Sequence, residues 1–500
     1  MELNEYTIAE LQGLFDHGEW NSVGLCEVFM KRISEFDASG PRLCSVIELN
    51  PDALEIANAL DKERQTSGPR GPMHGVAVLV KDSIDTADKM MTTAGSLAME
   101  GNIAPRDAFI IEKLREAGAV ILGKTNMSEW GYMRSTRACS GWSSRGGQTR
   151  NPYVLDRSPL GSSSGSAVAV AANFCSVAIG AEVDGSIVRP ASSNSIVGLK
   201  PTVGLVSRRG IIGVAAPQDT AGPMARCVAD VATVLSVLAG YDPKDPATRE
   251  TTNRKAKDYR TFLDPGALNG ARLGVARECF GQHEKTDAVI EDAIRELEAL
   301  GAKIVDPVRS SSLPFFGELE LELFRYGLKA SLNRYLVEHP RARVRSLEEL
   351  IRFNRENASQ VMPYFQQEFF EMAQTKGDLT EESYLKVKDE LRRLARADGI
   401  DKALSEHKLD AIIAPTEGSP PFVIDPVVGD NILRGGCSTP PAVAGYPHIT
   451  VPAGYIHGLP VGLSFFAGPY QEGKLIAYAY AFERATQVRH PPRFAETIVL

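Results

Sequence analysis

The sequence predicts an α/β fold built on a largely parallel or mixed sheet. Two short, continuous, β-branched apolar runs, VAVLV at 76–80 and AVILG at 119–123, have the length and composition of strands buried on both faces. Residues 107–118 between them carry a helical pattern, with Asp107 suited to cap its start and Gly118 its end. Alternation of buried strand and amphipathic helix is the pattern of a sheet with helices packed on it. The chain has the material for a large core, with 500 residues of which 43% are hydrophobic.

Taken in order, Thr7 and Glu10 form a capping-box pair, so a helix starts there, and further helical segments fill the chain to about residue 65. GPRGP at 68–72 is a break, and the first buried strand follows and ends on Lys81 and Asp82. From 131 to 165 the chain is rich in Gly, Ser and Arg, a functional loop system rather than a simple connection. In 157–202 two serine-bearing turns, GSSSG at 161–165 and DGS at 184–186, flank an apolar run that reads as a helix and then a strand. Further strands are expected at 272–276, 303–305, 410–414, 449–451 and 461–466. The charged, helical 313–405 stretch reads as an insertion, not a separate domain.

A net charge of −8 with dispersed Lys and Arg gives no field for nucleic acid or an anionic membrane. Residues 167–183 are the one candidate span, and their Asn173, Ser176 and Glu182 mark them as buried helix plus strand instead. Seven cysteines without a C-x-x-C pair and no secretory leader pattern point to a reducing, cytoplasmic setting. The eight histidines lack ligand spacing, so no metal and no cofactor is expected.

For chemistry, GSSSG satisfies the G-x-S-x-G elbow with Ser163 as nucleophile, but LDRSPL precedes it where the elbow needs a strand. The S-x-x-K matches at Ser383 and Ser405 lie in charged segments without companion motifs. There remain a lysine at the end of a buried strand and the serine turns. Lys81, desolvated, would lose charge and become a general base; exposed, or paired with Asp82 or Asp85, it would be an ordinary strand-end lysine. The DGS turn could aim N–H groups at an oxyanion beside Ser186, or be only a turn.

VKDSIDT (80–86), GKTNMSEW (123–130), GGQTRNP (146–152), SPLGSSSGSAVAVAA (158–172), DGSIVRPAS (184–192), GLKPTVGLVSRRG (198–210) and QDTAGPMAR (218–226) together resemble the amidase signature family, most closely its peptide-amidase-like members. The likeness covers most of the chain and is least in 313–405. It implies one large domain over 1–500 with a central mixed sheet covered by helices on both faces. Within it, 1–65 is an N-terminal helical segment, 66–310 the catalytic core, 313–405 the insertion and 406–500 the C-terminal part of the core.

The resemblance also implies a Ser-cisSer-Lys triad: Ser186 as nucleophile, Ser162 after a cis bond as the bridging serine, and Lys81 as base. The N–H groups around Val183, Asp184 and Gly185 would form the oxyanion hole, and Ser163 and Arg189 would support the site. The activity implied is hydrolysis of a linear carboxamide, on a small-molecule or peptide substrate, through an acyl-enzyme by a monomer or homodimer. A glutaminase subunit of an amidotransferase and an inactive binding protein of the same fold are the alternatives. Departures from the common pattern are Leu160 and Ser164, Ser83 for Asn, Asp184 for Gly, and Arg189 where peptide-amidase-like members usually carry Cys. They bear on substrate choice, expected to lie in 131–150, 313–405 and 417–440.

Overall fold

The computed structural model describes residues 5–313, 317–430 and 435–498, so 314–316 of the helical stretch and 431–434 of the 417–440 segment lie outside the described residues. In chain order the strands are β1 (Val46–Leu49), β2 (Ala77–Lys81), β3 (Val120–Thr125), β4 (Trp142–Ser143), β5 (Gly147–Gln148), β6 (Val177–Glu182) and β7 (Val197–Lys200). They continue with β8 (Thr220–Ala225), β9 (Arg272–Ala276), β10 (Lys303–Val308), β11 (Ala411–Pro415), β12 (His448–Ile456) and β13 (Leu459–Phe466). Eleven of them form one sheet in the order β1-β3-β2-β6-β8-β7-β12-β13-β11-β9-β10, while β4 and β5 make a separate ribbon.

The sheet is mixed. β3, β2 and β6 run parallel at one end and β11, β9 and β10 at the other, while the pairs from β6 through β8, β7, β12, β13 to β11 are antiparallel. Side-chain alternation along each strand divides the core between the two faces. Val78 and Val80 of β2 join a cluster under the helices Phe109–Glu116, Val228–Leu238, Glu284–Ala299 and Glu472–Thr486. Ala77 and Leu79 face the helices Ser22–Arg32, Ala53–Ser67 and Ser164–Ala171. At the far end, Ile412 and Ala414 of β11 pack with Phe324, Leu328 and Leu332 of the long helix Glu318–Glu338. Burial on both faces is what makes these strands read as unbroken apolar runs.

Thr7 caps the first helix, Ile8–Asp16, and forms the expected capping box with Glu10. Every strand expected from the sequence is present, and the 161–182 stretch folds as the helix Ser164–Ala171 followed by β6. One cap is corrected. Ala108, not Asp107, precedes the helix Phe109–Glu116, because the Asp107 carboxylate accepts from Ala87 N–H at 2.6 Å and Arg115 Nε at 2.9 Å. At its other end Gly118 has φ +81°, with Ala119 N–H closing onto Leu114 O at 2.9 Å and Gly118 N–H onto Arg115 O at 3.0 Å, a Schellman ending.

Gly165 lets the first turn of its helix lie against the sheet: a Cβ there would stand 2.2 Å from Ser45 O and 2.4 Å from Asn126 O. Both are backbone atoms and cannot swing away. Gly165→Ala is therefore expected to destabilise the protein by about 1–3 kcal/mol. Gly13→Ala, in open space within a helix, should stabilise it by about 0.5–1 kcal/mol. Thermal unfolding that ranks the two variants in the opposite order would contradict this packing.

Candidate active site

The parallel pairing of β2 with β6 brings Lys81 beside the end of β6. Lys81 is 2% exposed, and its Nζ contacts Ser162 Oγ at 2.7 Å and Ala181 O at 2.8 Å. Burial lowers its pKa to about 7, against the opposing pull of Glu182 and Asp219. The pairing with Asp82 or Asp85 that would have left it an ordinary lysine does not occur. Asp82 accepts from Thr93 Oγ1 and from Gly95 N–H at 2.9 Å, and Asp85 is bonded to Tyr335 Oη and His339 Nε2, each at 2.8 Å.

Ser162 follows a cis peptide bond from Gly161, and its Oγ lies 2.9 Å from Ser186 Oγ. The two serine turns are tied together, since Ser163 N–H donates to Ser186 O at 3.1 Å. The neighbouring serines are otherwise engaged. Ser163 Oγ donates to Ala181 O at 3.1 Å and accepts from Ala181 N–H at 3.2 Å, and Ser164 Oγ donates to Leu160 O at 2.5 Å. No strand precedes Ser163, so the elbow geometry is missing.

The turn at 183–186 follows β6 directly. Glu182 fixes its exit, Oε2 accepting from Ile187 N–H at 2.7 Å and Val188 N–H at 3.2 Å. Among the described residues, no backbone N–H from Val183 to Ser186 is bonded to another main-chain group. The left-handed position is Gly185, φ +71°, and not Asp184, which explains why a non-glycine residue is accommodated at 184. A Cβ on Gly185 would meet Arg189 Cδ at 2.3 Å.

Arg189 is buried and binds Glu417 through two bonds, Nε to Oε1 at 2.5 Å and a terminal nitrogen to Oε2 at 3.0 Å. Burial pulls its pKa down, but Glu417 outweighs it and raises it. Asp184, also buried, accepts from Thr439 Oγ1 at 2.5 Å, and desolvation lifts its pKa.

A cavity of ≈ 430 Å³ opens on Lys81, Ser162 and Ser186. Its walls include Met127, Trp130, Ile212, Val214, Leu328 and Leu332. A second space, of ≈ 10 Å³, lies on Ser162 and Ser186 as well and is bounded by Tyr132, Met133, Ser140, Asp184 and Arg189. The expected substrate segments contribute unequally: the long helix gives Leu328, Ser331, Leu332 and Tyr335 to the larger cavity, the 131–150 loop only Gly131, and the described part of 417–440 nothing. The Arg208–Gly213 wall was missed by sequence reasoning, although its GLVSRRG motif was visible.

A family model described as Amidase matches residues 25–476. The chain belongs to the amidase signature family. It is an amide hydrolase, and its fold is the family's mixed sheet with flanking helices. Native peptide amidase from Stenotrophomonas maltophilia is 49% identical with TM-score 0.92, matching 98% of this chain and 99% of that one. A probable amidase of Arabidopsis thaliana is 40% identical over 98% of this chain and 92% of its own length. A glutamyl-tRNA(Gln) amidotransferase subunit from Thermoanaerobacter pseudethanolicus is 33% identical over 99% of both. Among the described residues, no helix of this amidase is long and apolar enough to cross a membrane.

Removing one partner of the buried Arg189–Glu417 pair leaves the other charge uncompensated, at a cost of about 3–5 kcal/mol. Arg189→Met and Glu417→Met should each lower the unfolding temperature, and the double variant should be less destabilised than either single one. Additive losses in thermal unfolding would refute a strong coupling between them.

Proposed function

We propose that this enzyme hydrolyses a primary carboxamide, such as the C-terminal amide of a peptide, through an acyl-enzyme on Ser186. The observation that carries the reading is the unbroken chain from Lys81 Nζ through Ser162 Oγ, at 2.7 Å, to Ser186 Oγ, at 2.9 Å, on the wall of a cavity. With its pKa near 7, Lys81 has a substantial neutral fraction at neutral pH. The neutral amine still donates to Ala181 O while its lone pair accepts the Ser162 proton. Ser162 in turn takes the proton of Ser186, whose Oγ attacks the amide carbon. The N–H groups of the 183–186 turn receive the oxyanion, the proton returns through Ser162 to the departing nitrogen, and the C–N bond breaks. Water then attacks the ester by the same relay and releases the acid, restoring Ser186. No histidine is needed, a variant of serine-hydrolase logic.

Primary amides are favoured by the cavities. The space of ≈ 10 Å³ beside Ser162 and Ser186 is about that of one water molecule, the size of departing ammonia. The larger cavity suits an acyl part of several residues, in keeping with the neighbour named a peptide amidase. The likeness to an amidotransferase subunit supports a second reading, in which the ammonia is passed to a partner chain. Vigorous ammonia release from peptide amides by the isolated chain would exclude that one.

With a peptide amide as substrate, Ser186→Ala and Lys81→Ala should each lose at least about a thousand-fold in kcat. Wild-type rates in either would overturn the mechanism, and a fluorophosphonate should label Ser186 and not Ser163. Because only neutral Lys81 accepts a proton, kcat/KM should rise with pH through about 7 and be lost below it. An N-methyl amide should react at least about a hundred-fold more slowly than the primary amide.

A further inference from the structure

Two buried carboxyl groups meet behind the turn that presents Ser186. Asp184 Oδ2 is occupied by Thr439 Oγ1, and Glu320 Oε1, in the first turn of the long helix, accepts from Gln218 Nε2 at 2.7 Å. The same Gln218 amide donates to Val183 O at 3.2 Å, so Glu320 is linked to the turn through Gln218. The remaining oxygens, Asp184 Oδ1 and Glu320 Oε2, are buried; the buried Ser438 hydroxyl lies beside Asp184, while Glu320 Oε2 has no hydrogen-bond partner among the described residues. The two carboxyl groups are close enough to interact directly. Two carboxylates offer only acceptors, so a hydrogen bond between them requires a proton on one.

From this geometry we propose that Glu320 is a positioning residue, a carboxylic acid whose proton is shared with Asp184 and holds the 183–186 turn in place. The proton belongs on Glu320. Asp184 has the Ser438 and Thr439 hydroxyls and the Arg189 cation nearby, all of which favour its ionised form, whereas Glu320 has a neutral amide and a facing carboxylate. Desolvation, reinforced by Asp184, lifts the Glu320 pKa well above the ordinary range. The other charged or titratable groups around the pair are Arg189 with Glu417, Glu182 at the end of β6, Lys200 at the end of β7, and Cys437. Their own partners are in place, so none supplies the missing donor: Glu182 takes two backbone N–H groups, Glu417 takes Arg189, and Lys200 donates to the carbonyls of Pro201 and Tyr446.

The consequence is a high-pH limit. A raised acid keeps its proton at neutral pH and loses it as pH rises through its folded value, after which two buried anions repel each other behind the turn. The inference rests on Ser186 as nucleophile, with Lys81 setting the rising limb of the pH profile and the Asp184–Glu320 pair the falling one.

The test compares kcat, KM and their pH profiles on a peptide amide for wild type, Glu320→Ala and Glu320→Gln. Glu320→Ala should lower kcat by about 10–100-fold with KM little changed. Glu320→Gln, which donates to Asp184 at any pH, should recover most of that loss and remove the falling limb. The same falling limb in Glu320→Gln, or a Gln variant no better than Ala, would overturn the proposal while leaving the Ser186 reading intact. An independent arm is the wild-type minus Glu320→Gln difference infrared spectrum at pH 8, which should contain a carboxylic acid C=O band. Its absence also overturns the proposal, whereas full activity in Ser186→Ala would instead refute the nucleophile assignment.

Discussion

The desolvation of one lysine governs this site. An ammonium at the end of an interior strand is costly, and the cost falls if the proton leaves. The acids around it are otherwise engaged. Glu182 takes the N–H groups of Ile187 and Val188, Asp219 that of Val214, Asp82 those of its loop, and Asp85 the side chains of Tyr335 and His339. Glu182, Asp219 and Asp85 line the cavity, and the fields of Glu182 and Asp219 on Lys81 are too weak to offset burial.

In the proposed mechanism, burial alone does not make a base. Lys124, one residue before the end of β3, and Lys200, at the end of β7, are also fully buried and have lowered pKa values. Lys124 donates to Ile84 O and Thr92 Oγ1, and Lys200 to the carbonyls of Pro201 and Tyr446. Lys81 differs in where its hydroxyl partner leads: Thr92 beside Lys124 ends on the carbonyl of Ile84, whereas Ser162 lies against the second hydroxyl of Ser186. The same distinction separates the serines of GSSSG. Ser163 is closed into a two-way bond with Ala181 and Ser164 onto a carbonyl, leaving Ser162 between Lys81 and Ser186.

These distinctions mark where the sequence was legible. Strands buried on both faces announce themselves as apolar runs, and the helix-then-strand reading of 164–182 followed from that. β8 did not, because TAGPMA holds Gly222 and Pro223, residues normally absent from a central strand, yet it pairs with both β6 and β7. β1 and β7 are only four residues long, too short for a period to show. Asp107 has the composition of a cap but is claimed by Arg115 and by a backbone N–H twenty residues away in sequence. Motif order singled out Lys81, Ser162 and Ser186, which the structure brings together, whereas which lysine or serine faces which partner is a matter of long-range geometry. Gln218 and Glu320, more than a hundred residues apart in sequence, were invisible for the same reason.

In the proposed mechanism the same low-polarity surroundings push two kinds of group in opposite directions. They strip a proton from Lys81 and retain one on the Asp184–Glu320 pair, because in both cases the state of lower charge is preferred. Arg189 is balanced by Glu417, so the turn carries little uncompensated positive charge before substrate binds. Stabilisation of the oxyanion then falls to the N–H dipoles of 183–186, whose orientation costs nothing at the moment of reaction because Glu182 at one end and Gln218 on the Val183 carbonyl already hold it. Ionising the carboxyl pair would place a second negative charge beside the point where the oxyanion develops. Keeping that pair protonated therefore serves the electrostatics of the transition state as well as the shape of the turn.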